Sequence, residues 1–167
     1  MLSKKKLDKR AAERVAIAKD ALAWIEAGAL IPSGMCYINP VREDDQISWS
    51  AEKQLRDIEL GPCKVCAKGA LFLAKAVRYD NVVGIQSSDQ LYQRAYIGYE
   101  LLEHFDQDQL KMIESYFEGW ERSWSPFAAT FKLKYPDHKQ RLTIILKNII
   151  DNGGTMVPYS RTDLLPL

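Results

Sequence analysis

The sequence predicts a mainly α fold: an irregular bundle of five or six helices with a long loop in its N-terminal half. Three features carry that expectation. Apolar residues recur three and four positions apart along several stretches, glycine and proline separate those stretches, and the apolar–polar alternation of strands is scarce. The chain has 167 residues, a size suited to one domain, and 47% hydrophobic with 27% charged residues supports a sizeable core without disulfides. A single helical domain over residues 1–167 follows, with ends expected to fray at 1–6 and 155–167.

The first helix is expected from about Ser3 to Ala27, because Leu7, Ala11, Val15, Ala18, Leu22 and Ile25 form one stripe and Gly28 stops it. Residues 29–49 hold two prolines, a glycine and an acidic run without helical period, so they read as the long loop, with a short strand near Cys36 to Ile38. Met35, Cys36, Tyr37 and Ile38 are its expected anchors, and Ser50 is placed to cap a short helix through Ile58. Pro62 then suits the first turn of a buried helix, whose Val65, Cys66, Gly69, Ala70, Leu73, Ala76 and Val77 make a wide face of small and apolar residues.

Two further helices follow in similar form. Ser87 and Gln90 have capping-box spacing, as do Asp106 and Gln109, and the second helix turns Leu110, Ile113, Phe117 and Trp120 inward after a tight joint near Phe105. An irregular stretch, "SWSPFAATFKLKYP", leads to a last helix over His138 to Asn152, with Leu142, Ile145, Leu146, Ile149 and Ile150 on its apolar face and Gly153–Gly154 as its stop.

Function is less legible. The pair Cys63 and Cys66 admits three readings: half of a structural zinc site completed by Cys36 and either His104 or His138, a redox pair at a helix start, or buried packing. Packing is preferred, because a second local ligand pair and a thioredoxin-like sheet pattern are both missing and cysteine often serves as a small core residue. The sequence shows no phosphate loop, nucleophile elbow, zinc-protease helix or dinucleotide fingerprint, so no cofactor and no catalytic residue is expected. His104 lies among acidic residues and reads as an exposed histidine at a helix end. Residues 63–77, "CKVCAKGALFLAKAV", resemble the Cys-x-x-Gly-Ala-Leu helix of small actinobacterial and phage proteins of unknown function, through Cys66, Gly69, Ala70 and Leu71. That resemblance covers the first half of the chain and implies a phage or mobile-element origin, with no active-site residues to carry over.

The formal net charge is +1, yet the charge is unevenly spread. Residues 1–20 carry seven basic against three acidic side chains, whereas residues 100–121 carry seven acidic ones against Lys111 alone. Lys4, Lys5, Lys6, Lys9 and Arg10 are therefore candidates for phosphate contacts, though such charge confers only salt-sensitive affinity and nucleic acid is the less favoured partner. The preferred expectation is a non-enzymatic accessory protein that binds a host or defence protein. Its charged and aromatic surface would use Glu103, Asp106, Asp108, Glu114, Glu118, Trp120, Glu121 and Trp124. Aromatics in a helical domain are ordinarily core, so tryptophans left exposed would mark such an interface. No segment approaches the ~18 uninterrupted apolar residues of a membrane span, the N-terminus lacks a secretory core, and an odd cysteine count suits a reducing cytoplasm.

Overall fold

The computed structural model describes residues 4–34, 38–40, 62–79 and 97–166. Its first helix, α1, runs over Lys4–Glu26 and buries Ile17, Ala18, Ala21 and Ile25. The stripe is buried only in its C-terminal half: Leu7 is 52% exposed, and Lys4, Lys5 and Lys6 share the exposed first turns with it. Gly28 (φ 78°) ends the helix, with its N–H on the Ile25 carbonyl and that of Ala29 on Trp24.

The chain then enters a small sheet, which corrects the helical assignment of Pro62 to Cys66. Strands β1 (Leu30–Pro32), β2 (Ile38–Pro40) and β3 (Cys63–Val65) lie in the order β1-β3-β2. The central β3 is parallel to β1, with Leu30 opposite Cys63 and Pro32 opposite Val65, and antiparallel to β2, with Ile38 opposite Val65. Cys63 and Val65 face the core and Lys64 faces out, an alternation of period two too short to stand out beside the helix that follows. That helix, α2, spans Ala67–Tyr79 and buries every residue from Gly69 to Ala76. A helical turn at residues 97–101 and the buried Phe105 then lead into α3, Gln107–Glu118.

Two further differences concern the C-terminal half. The stretch expected to be irregular contains α4, Ala128–Lys134, and the segment after the long helix α5 (His138–Asp151) is packed down rather than frayed. Met156 and Leu164 are each 1% exposed, and Ser160 starts a last turn, α6 (Arg161–Leu164), with a complete capping box. The helix proposed after Ser50, the capping pair Ser87 and Gln90, and the loop anchors Met35, Cys36 and Tyr37 lie outside the described residues.

α1 packs chiefly on α5 and α2, and α3 packs on α4, α5 and α2, with β1 bridging to α1 and α5. The core is mostly aliphatic around α2 and turns aromatic toward the C-terminus, where Tyr116, Phe131 and Tyr159 meet at ring separations of 4.5 to 5.5 Å. Each such large side chain contributes roughly 1.5–3 kcal/mol by leaving water. The architecture is mainly helical, as the periodicities require, with the sheet as a small addition.

Candidate functional site

The connection between α3 and α4 presents tryptophans to solvent from a firmly held backbone. Gly119 (φ 81°) closes α3, and the N–H groups of Gly119 and Trp120 both donate to the Ser115 carbonyl at 2.8 Å. Only glycine suits this point twice over: its dihedral is left-handed, and a Cβ there would overlap the aliphatic stem of Lys132. Lys132 lies across the helix end and donates its ammonium to the Glu118 carbonyl at 3.0 Å.

The loop is pinned from beneath. Ser125 is fully buried and donates to the Trp120 carbonyl at 2.9 Å, while Tyr116 donates to the Pro126 carbonyl at 2.7 Å. Trp124 donates its indole N–H to Ser115 Oγ at 3.3 Å, and the Lys111 ammonium sits 5.6 Å from its ring centroid. Phe127, which precedes α4, has φ 61°, a conformation that costs a bulky residue about 1–3 kcal/mol and persists only where neighbours enforce it. On this support Trp120 and Trp124 remain 38% and 39% exposed. Beside them a shallow, mostly apolar groove of about 420 Å³ is lined by Gly119, Ala129, Lys132, Leu133 and Pro136, and Leu133 is 72% exposed.

The acidic character expected of residues 100–121 is partly taken up by the fold, through Glu100, Glu114 and Glu118. Lys75, fully buried on α2, is neutralised by Glu100 at 3.1 Å and Glu103 at 2.9 Å, and its hydrogen bond holds the Glu103 carboxyl below its usual range. Glu114 pairs with Lys68 at 2.6 Å, Glu118 is 7% exposed, and Asp106 caps α3 by accepting from the Gln109 N–H at 2.8 Å. Glu103, Asp106, Asp108 and Glu121 stay exposed, the last two at opposite ends of α3. A charge count along the sequence misses this, since the compensating lysines come from α2.

The basic start divides similarly. Lys4, Lys5, Lys6 and Lys9 are exposed, with Lys9 3.8 Å from Glu13. Arg10 turns inward and donates to the carbonyls of Glu103 at 2.8 Å and Leu102 at 3.0 Å.

The cysteines flank the passage from β3 into α2. Cys63 is buried on β3, and Cys66, just ahead of α2, accepts from the Gly69 N–H at 3.4 Å. Burial pushes the Cys66 thiol up to about 12, the opposite of an activated thiolate. His104 is mostly buried rather than exposed: its Nδ1 lies 3.0 Å from Glu13 Oε2 and its ring stacks on Tyr79. Among the described residues, no group of three or more histidine, cysteine or acidic side chains is placed to hold a metal, and Cys36 lies outside them. Nor is any described helix long and apolar enough to cross a membrane.

No protein-family model matches the chain, and neither does a curated protein or a solved structure. The sequence marks both tryptophans as surface candidates but also sets Trp120 on the inward face of a helix, whereas α3 ends at Glu118 and Trp120 is 38% exposed; Leu133, Ala129 and Pro136 are missed because α4 is too short to show a period.

Proposed function

We propose that this chain is a non-enzymatic, phage-type accessory protein that binds a host or defence protein through the Trp120–Trp124 loop and the adjoining groove. The observation that carries the reading is the pair of exposed tryptophans on a loop fixed by buried serine, tyrosine and carbonyl contacts. A loop ordered in advance loses little entropy on association, and tryptophan is the residue type that most often dominates interface energy. The complementary surface offers a large apolar side chain to the groove against Leu133, Ala129 and Pro136. Glu121 remains available at the rim, whereas Glu114 and Glu118 are drawn into the fold and Glu103 is tied to the buried Lys75.

Affinity capture from bacterial lysate, with nuclease treatment, tests this against the nucleic-acid alternative. A protein retained by the wild-type chain is expected to be lost with Trp124→Ala or Leu133→Ser, at roughly 2 kcal/mol or more per hot-spot residue, and kept when Lys4, Lys5 and Lys6 become alanine. Equal capture by all three, or retention of nucleic acid that is abolished only by the lysine changes, rules the reading out.

A further inference from the structure

The segment after α5 is held in a manner distinct from the other described residues. Residues 155–160 adopt no helix or strand, yet the backbone of consecutive residues is gripped by amide side chains from two different helices. Gln109 on α3 accepts from the Met156 N–H at 2.6 Å and donates to the Met156 carbonyl at 3.1 Å. Asn148 on α5 accepts from the Val157 N–H at 2.8 Å and donates to the Val157 carbonyl at 2.9 Å. In extended chain the N–H and C=O of one residue point to one side and those of the next to the other, so two flanking amides reproduce the ladder that a neighbouring strand would supply. The Tyr159 N–H then donates to the Tyr116 hydroxyl at 3.1 Å.

Side chains add a reading frame to this grip. Met156 is 1% exposed, Val157 is 44% exposed, and the Tyr159 ring stacks on Phe131 at 4.5 Å while its hydroxyl reaches the Ile144 carbonyl. Backbone bonds supply affinity and alternate side-chain pockets supply selectivity, which is the logic of extended-peptide recognition.

We propose that the α3–α5 groove is a receptor for extended peptides and that residues 155–160 occupy it as a built-in pseudo-ligand. Its ligand in trans is an extended segment of a protein partner with a large apolar residue, two intervening residues and a tyrosine, the pattern of Met156 and Tyr159. The cis segment competes with that ligand and so sets a threshold for binding. This inference does not rest on the tryptophan-loop surface, although the Tyr116 hydroxyl touches both segments.

A fluorescent synthetic peptide, TMVPYSRTDLLPL, titrated into the full chain tests it. Val157→Pro removes the N–H that Asn148 accepts while leaving the buried side chains in place, so it acts oppositely in the two molecules. In the chain it weakens the cis segment and tightens trans binding about tenfold; in the peptide it weakens binding by a similar factor. Asn148→Ala in the chain removes the same two bonds from the cis segment and from the bound peptide, so trans affinity is expected to change far less than with Val157→Pro. Hydrogen exchange on the unmodified chain supplies a second readout: the Met156, Val157 and Tyr159 amides exchange faster than those in the middle of α5. The proposal is overturned if neither the wild-type nor the Val157→Pro chain binds the peptide saturably, or if those three amides exchange only at the rate of the α5 core.

Discussion

Arg141 shows how one side chain can close two helices. It is fully buried, donating from Nε to the Phe117 carbonyl at 2.6 Å and from one terminal nitrogen to the carbonyls of Tyr135 at 2.7 Å and Pro136 at 3.0 Å. These acceptors lie at the C-terminal ends of α3 and α4, where helix geometry leaves carbonyls without partners and the helix dipole is negative. Burial lowers the Arg141 pKa, and the nearby charge of Glu118 opposes that shift. Guanidinium is required because its planar fork serves diverging acceptors, which a single ammonium cannot do. Arg141→Lys and Arg141→Met are therefore both expected to cost about 3 kcal/mol in urea unfolding, since breaking a buried, bonded charge leaves its partners stranded. A loss below about 1 kcal/mol for either would show that the three carbonyls find other donors.

At the scale of elements, helix ends were easier to read than short strands. Asp106 and Gln109 were recognised by their spacing, and Asp106 does cap α3, but the Gln109 side chain does not complete the box because it grips Met156 instead. Replacing the cap tests its chemistry: Asp106→Ala should lower stability by about 1 kcal/mol, whereas Asp106→Asn, which keeps the acceptor oxygen, should stay within a few tenths. A thermal shift as large for asparagine as for alanine would show that charge rather than capping matters. The long helices α1, α2 and α5 were legible because several turns repeat the same apolar spacing. In contrast, α4 has seven residues and buries only Ala128 and Phe131, so no period can establish itself. Strand β3 escaped because its partners are distant: Leu30 and Cys63 are paired by the fold, and no local signal links them. The same non-locality hid the neutralisation of Glu100, Glu103 and Glu114 and the grip of Gln109 and Asn148 on the tail. The candidate surface was thus legible in its aromatics and not in its charge.

At the scale of the whole molecule, the titration of three groups in separate parts of the fold points the same way. Burial lowers the His138 pKa from its ordinary 6.5, so below that pH the unfolded chain takes up a proton before the folded one and stability falls. Glu103 is held below 4.5 by the hydrogen bond from Lys75, and Asp163 below 3.8 by Ser160. Each of these carboxylates stabilises the fold above its unfolded pKa, and that contribution disappears as pH falls through the lowered folded value. The melting temperature is consequently expected to be highest near pH 7 to 8, to drop first as pH goes below about 6.5, and to drop again below about 4.5. His138→Gln should flatten the first decline and leave the second, while Glu103→Gln should reduce the second and leave the first. The carboxylate effects will be modest, since Glu103 is 63% exposed and water screens its interaction with Lys75. A wild-type melting temperature that stays level between pH 7.5 and 5.5, or a first decline that survives His138→Gln, would show that the half-buried first turn of α5 tolerates a protonated histidine at no cost.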